Sequence, residues 1–194
     1  MRKLVAVIFT ITIIFCFLIP FESFAYNTFN QHKLKGGVGA YGKDTQYYYI
    51  DSTAGSQEER INWSFNSCHT TSRLGITTPI SFRRQAGLSS PVIDIYQYND
   101  LPSNYLAYTE MKLIGSGTID PYKQNWDYGR IVLNTPGYST LSDFNRRGTI
   151  GHEIGHAMGL AHTTASTFIM TQLGSGRTVN QPMGNDLAGI NFLY

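Results

Sequence analysis

Five residues near the C-terminus have the types and the spacing of a metal site: His152, Glu153, His156, Gly159 and His162. On an α-helix, residues four positions apart lie one turn above each other, so His152 and His156 can present their imidazoles to a single ion. Glu153 lies about 100° around the helix from His152, where it can reach a water on the ion but not the ion itself. We therefore predict two metal ligands and, in Glu153, a catalytic general base.

A third ligand has to come from outside this helix. Gly159 permits a sharp turn, because glycine adopts left-handed backbone conformations without a Cβ clash, and we expect the helix to end near Met158 or Gly159. His162 then completes a set of three histidines and leaves the fourth tetrahedral position of a zinc ion open. An open position indicates catalysis, and the extended pattern is far less prone to chance matches than its first five residues alone.

The chemistry expected of such a site is hydrolysis. Three neutral histidines leave zinc a strong Lewis acid, which lowers the pKa of its water to about 7. Glu153 would take a proton from this zinc-activated water and deliver it to the leaving amine of a peptide bond. Two alternatives stay open, namely a zinc-stabilised binding or toxin-like module and a zinc amide hydrolase with a non-protein substrate. A module has no use for a base beside an open metal position, which argues against it.

The extended motif resembles that of the metzincin zinc endopeptidases, and the closest resemblance is to the matrixins and their small bacterial secreted relatives. Metzincins carry a methionine in a tight turn beneath the zinc ligands, and the resemblance assigns this Met-turn to Met170. It implies one catalytic Zn²⁺ and a protein or peptide substrate that pairs antiparallel with an edge strand, here residues 106–114. The segment after Met170 would wall the pocket beyond the scissile bond. A Ca²⁺ ion is compatible with the resemblance, but no motif supports one.

Several residues depart from patterns of the clan. Gln172 stands where astacin-like and serralysin-like members have a tyrosine, which favours the matrixin branch. The remaining histidines, His32 and His69, have no partner nearby in sequence for a second zinc site. We expect His69 on a helix surface, His32 in an exposed segment, and Cys68 as a buried, inert thiol.

The predicted strands and helices that would position these residues indicate an α+β fold. Alternating and β-prone residues predict strands over residues 47–50, 80–82, 92–98, 106–114 and 130–134. Apolar spacing and capping residues predict helices over residues 56–72, 140–159 and 185–194. Thr140 and Asp143 would form the capping box of the active-site helix. Together with the resemblance, this implies a mixed twisted sheet, a long active-site helix, a tight turn to the third ligand, a Met-turn and a C-terminal helix.

The N-terminal sequence predicts export. Arg2 and Lys3 precede an apolar run over residues 4–19, and small residues at Ser23 and Ala25 fit a signal-peptidase site. We therefore expect a signal peptide over residues 1–25, a loosely held, glycine-rich N-terminal segment over 26–45, and a catalytic domain over 46–194. The mature protein would be extracellular, without a stable membrane anchor.

The composition narrows the class of partner. Fifteen Lys and Arg residues against 13 Asp and Glu residues give a net charge of +2, which lends no support to nucleic acid binding. Cleavage after Ala25 would leave Cys68 as the single cysteine, so no intramolecular disulfide could form. We expect a monomer that is stabilised by packing and by its metal.

Overall fold

The computed structural model describes residues 26–39, 45–87 and 91–194, and the predicted signal peptide lies outside them. The described chain has the predicted α+β architecture. Its strands are β1 (Asn27–Thr28), β2 (Gln46–Ile50), β3 (Phe82–Gln85), β4 (Ile93–Tyr98), β5 (Ala107–Leu113), β6 (Gly117–Thr118), β7 (Tyr128–Asn134) and β8 (Leu160–Ala161). Its α-helices are α1 (Glu58–His69), α2 (Thr135–Tyr138), α3 (Asp143–Ala157) and α4 (Gly184–Leu193). Short 3₁₀ helices cover Ser52–Gln57, Ser72–Leu74 and Leu173–Ser175.

One mixed sheet carries most of the strands, in the order β3-β2-β4-β7-β5-β6. The pairs among β3, β2, β4 and β7 are parallel, whereas β5 runs antiparallel to β7. Strand β6 pairs with β5 only at Lys112 and Leu113. The Met111 carbonyl also accepts from the backbone N–H of Ile119, so within the described residues the outer edge of β5 has no neighbouring strand from Ala107 to Glu110.

The central strands β4 and β7 share one apolar face. Ile93 and Ile95 on β4 and Ile131 and Leu133 on β7 alternate along their strands and are fully buried. Helix α3 packs on β5 and β7 and also contacts α1. The active-site helix is thereby held against the sheet along its length.

Helix α1 confirms the predicted apolar face, since Ile61, Phe65 and Cys68 are fully buried. The helix ends at His69, whose ring was expected on the surface. The ring is half-buried rather than freely exposed, and His69 Nε2 accepts a hydrogen bond of 2.9 Å from the backbone N–H of Phe82. Burial lowers the pKa of His69, which keeps the ring in the neutral form that can accept this bond.

Helix α3 begins later than the sequence predicted. Ser142 is its N-cap and accepts a hydrogen bond from the backbone N–H of Asn145, whereas the Thr140 hydroxyl donates to the Gly137 carbonyl and closes α2. Thr140 and Ser142 both carry a hydroxyl that could cap this helix. The Thr140 hydroxyl is already bonded to the end of α2, so Ser142 is the cap. The C-terminal end is as predicted, with Met158 as the C-cap and Gly159 at a φ of 110°.

The N-terminal segment is not loosely held over residues 26–39. Strand β1 pairs with β8, Leu34 and Val38 are fully buried, and Leu34 joins Phe29 and Trp126 in a second apolar cluster. Each of these apolar residues stands alone among polar or glycine neighbours, so the sequence shows no periodicity to reveal them. Within the described residues, no helix is long and apolar enough to cross a membrane.

Candidate metal centre and active site

The structure brings His152, His156 and His162 together at one point. The first two lie on α3, and His162 follows β8. The Nε2 atoms of His156 and His162 are 3.1 Å apart, and so are those of His162 and His152. Among the described residues, these three form the group of potential ligands that could hold a metal ion.

The nitrogen positions fit zinc. Four ligand atoms at 2.0–2.1 Å from a tetrahedral ion are separated by about 3.3 Å, close to the distances observed between these nitrogens. His152 Nδ1 lies 2.8 Å from the carbonyl oxygen of Ile169, and His156 Nδ1 lies 2.8 Å from that of Leu160. A carbonyl only accepts, so both Nδ1 atoms carry hydrogen and both Nε2 lone pairs face the common point. These two lone pairs, together with Nε2 of His162 beside them, can hold a cation.

Burial keeps the imidazoles in their metal-binding form. It lowers the pKa of His152 well below its ordinary value, with a further contribution from His156. It also lowers the pKa of His156 to about 4. The ring of His162 is exposed, which leaves one side of the trio open to a substrate.

Glu153 lies beside the trio but points to a different partner. The Thr109 hydroxyl on β5 donates to Glu153 Oε2 over 2.7 Å and lies 3.1 Å from the Glu153 carbonyl oxygen. Burial raises the pKa of Glu153 to about 7, and the hydrogen bond from Thr109 opposes this rise. The carboxylate is thus oriented at the metal centre without belonging to the ligand group.

The backbone that carries His162 is held by the N-terminal segment. Strand β1 pairs with β8, and the Asn27 side-chain amide donates to the His162 carbonyl oxygen over 2.7 Å. The Phe29 ring packs 5.7 Å from the ring of His156 and 6.2 Å from that of Trp126. A Cβ at Gly159 would lie 2.8 Å from Leu193 Cδ1 and 3.1 Å from the His32 carbonyl oxygen. The turn to the third ligand therefore needs glycine for its φ and for its size.

Met170 lies beneath the centre, as the resemblance implied. Its side chain is buried and its sulfur fills the space that a Cβ at Gly155 would need, on α3 between the two helical ligands. The Met170 carbonyl accepts from the backbone N–H of Thr163 over 3.1 Å. This turn therefore contacts both the helix and the segment after His162.

Asp186 fixes the Met-turn from α4. Its carboxylate accepts from the backbone N–H groups of Ile169 at 3.0 Å, Met170 at 3.3 Å and Met183 at 2.8 Å. The sequence interpretation did not single out Asp186, Thr109 or Arg177. Asp186 had a usable signal, an acidic residue in the first turn of a predicted helix, whereas the other two have none.

Two cavities adjoin the trio. The larger, of about 540 Å³, runs along β5 from Ala107 to Met111 and reaches Tyr122. The smaller, of about 330 Å³, lies at the start of β5 and is walled by residues 172–175 and Arg177. Both include His152 and Glu153. The segment after Met170 thus walls a pocket next to the centre, as the resemblance implied.

Comparison with known proteins agrees with this geometry. Residues 122–194, which contain all three histidines, match the sequence model of the matrixin family of peptidases. No curated protein matches the chain significantly.

Proposed function

We propose that this zinc metalloendopeptidase, whose residues 122–194 match the matrixin family model, is secreted and uses Glu153 as its general base. In this proposal His152, His156 and His162 hold the catalytic zinc. The peptidase chemistry is supported above all by three Nε2 atoms that converge beside a buried carboxylate, in a cleft that follows a free strand edge.

Peptide hydrolysis at this site requires a bound Lewis acid, a general base and residues that orient them. Bound zinc supplies a Lewis acid that polarises a carbonyl and makes water a better nucleophile. Glu153 accepts the proton of the attacking water and returns it to the leaving nitrogen. The Thr109 hydroxyl holds Glu153 Oε2 in the orientation for both transfers, and the Nδ1 hydrogen bonds of His152 and His156 hold the two rings.

The substrate is a peptide in extended conformation. The outer edge of β5 offers backbone N–H and C=O groups from Ala107 to Glu110, which an added strand can pair with, whereas the Met111 carbonyl already accepts from the backbone N–H of Ile119. The same residues line the cleft that contains the histidines. A peptide paired antiparallel with this edge would therefore pass directly by the trio.

Substitution of Glu153 tests the assigned base. We expect Glu153→Ala to retain one zinc per chain and to lose about 10²–10⁴-fold or more in peptide hydrolysis. Glu59→Ala is the matched control, since Glu59 is an exposed glutamate on α1 whose side chain is 87% accessible, and it should hydrolyse peptides like the wild type. A Glu153→Ala protein within about tenfold of wild type would refute the role of Glu153. A wild-type protein that binds zinc but hydrolyses no peptide would instead favour the binding module.

Export rests on the N-terminal sequence of residues 1–25. Expression of the full chain in a secreting host should deliver to the medium a monomer without a membrane anchor, and N-terminal sequencing should give Tyr26 as its first residue. Retention of Met1 in a cell-associated product would contradict the proposal of secretion.

A further inference from the structure

Arg177 is a buried cation without a counterion. Its residue is only 6% accessible, its Nε has no hydrogen-bond partner, and its Nη2 has a long contact of 3.4 Å with the Thr149 hydroxyl. None of the ion pairs among the described residues includes it. A guanidinium removed from water in this way is costly unless an anion compensates it.

No residue in the described part of the chain supplies that anion. The pKa of Arg177 is lowered by burial to about 10, so the group stays protonated at neutral pH. Glu153 acts on this pKa through its charge, but its carboxylate is engaged by Thr109 and forms no ion pair with the guanidinium. A bound molecule can supply the compensating anion.

The space for that molecule is the smaller cavity of about 330 Å³. Arg177 lines it together with Thr149, and the opening lies beside His152 and Glu153. A side chain of a peptide bound at the metal centre can therefore enter this pocket and reach the guanidinium. Its planar set of donors matches a carboxylate better than any neutral group.

The direction of β5 determines which residue of a bound peptide can enter the Arg177 pocket. Strand β5 runs from Ala107 to Leu113, so an antiparallel peptide has its carboxyl-terminal part near Ala107. The Arg177 pocket adjoins that end of β5, whereas the larger cleft extends towards Tyr122. The pocket thus faces the residue that follows the scissile bond.

We propose that Arg177 is a specificity-determining residue, which selects substrates with Asp or Glu immediately after the scissile bond. The inference rests on the proposed endopeptidase function and adds its substrate class. The Arg177 guanidinium would pair with the substrate carboxylate on binding, which accounts for a buried charge that has no counterion among the described residues.

A peptide library followed by a matched pair of substrates tests the inference. Sites cleaved in an unbiased library should be enriched in acidic residues directly after the scissile bond. Two quenched fluorescent peptides that differ only there, Glu in one and Gln in the other, should differ in kcat/KM by about tenfold or more in favour of Glu.

Each variant is assayed on both peptides, and the ratio of its kcat/KM for the Glu peptide to that for the Gln peptide is compared. Because a loss of folded protein lowers both values equally, this ratio reports specificity alone. Arg177→Met should reduce the ratio to within about twofold of unity, and Arg177→Lys should keep a reduced preference for Glu. Arg83→Gln is the control, since Arg83 is exposed on β3 at the other edge of the sheet, and it should leave the ratio unchanged. Cleavage by the wild type without a preference for Glu overturns this inference alone. Failure of the wild type to cleave any library peptide overturns the proposed function with it.

Discussion

The helix α3 and the segment that follows it place zinc ligands by different physical means. His152 and His156 lie one turn apart on α3, so helical periodicity alone puts them on one face. His162 reaches the same point from a separate backbone segment, which depends on Gly159 for its turn and on β1 and Met170 for its place. Two ligands are thus fixed by local structure and the third by long-range contacts.

The helical pair is nevertheless not independent of the rest of the fold. The carbonyl oxygens that orient the two rings belong to Ile169 in the Met-turn and Leu160 in β8. The helix therefore fixes the positions of the side chains, whereas the neighbouring segments fix the orientation of the rings. Substitutions in those segments should impair zinc binding although they leave every ligand in place.

The largest effect is expected at Phe29, which joins the N-terminal segment to the metal centre. Phe29→Ala removes a buried ring that contacts Trp126 and His156, and we expect a loss of about 3–5 kcal/mol in the free energy of unfolding. Zinc should also bind more weakly. Denaturant unfolding and competition with a chelator measure the two quantities. The control is Phe144→Ala, since Phe144 is an exposed phenylalanine on α3; if both variants lose equally little stability, the N-terminal segment does not support the site.

Substitution of Met170 should affect folding more than it affects the ligand set. Met170→Ala leaves a cavity under α3, with an expected cost of about 2–5 kcal/mol. X-ray absorption should still report imidazole nitrogens around zinc, because the sulfur packs against Gly155. Met183→Ala, at a half-buried position before α4, should cost less. An unchanged melting temperature for Met170→Ala, or a sulfur atom bonded to zinc in the wild type, would refute this placement.

Substitution of Gly159 tests the position of His162 separately from that of the two helical ligands. Gly159→Ala places a Cβ at a φ of 110° and against the His32 carbonyl oxygen and Leu193, so we expect a loss of about 1–3 kcal/mol. The strain acts on the turn to His162, and zinc should dissociate faster than from wild type. Gly55→Ala meets no atom within 4 Å and serves as the control. Zinc retention equal to that of the control would show that the turn does not determine the position of His162.

The smallest effect is expected at Thr109, which links β5 to the catalytic side of α3. Thr109→Val removes the hydrogen bond to Glu153 Oε2, and kcat should fall by about two- to tenfold with zinc content unchanged. Thr109→Ser retains the hydroxyl and should restore most of the activity. A valine variant as active as wild type would show that Glu153 is oriented without this contact.

Features that depend on local structure could be predicted from the sequence, whereas features that depend on long-range contacts could not. The spacing of His152 and His156, the apolar face of α1 and the glycine that ends α3 are local signals, and the structure confirms the elements that they predict. The fold class follows from the order of such elements. The N-cap of α3 was misplaced from Ser142 to Thr140, because two hydroxyls close together in sequence carry the same local signal.

Residues whose roles depend on distant partners gave little or no signal. Phe29 and Leu34 looked like parts of a loose segment, but they pack with Trp126 and Ala161, more than ninety positions away in sequence. Nothing in the sequence indicated that Arg177 would be buried in a pocket, with no ion pair to any described residue. Charge and burial at such positions emerge only when the chain has folded.

One zinc is held, we infer, by two ligands from α3 and by His162 from the following segment. Metal analysis with X-ray absorption on the mature protein tests it most directly, applied to the wild type and to His162→Ala. We expect one zinc per wild-type chain with three imidazole nitrogens, and loss of one imidazole together with much weaker binding in the variant. Less than half an equivalent of zinc in the wild type, or an unchanged coordination shell in His162→Ala, would contradict the account.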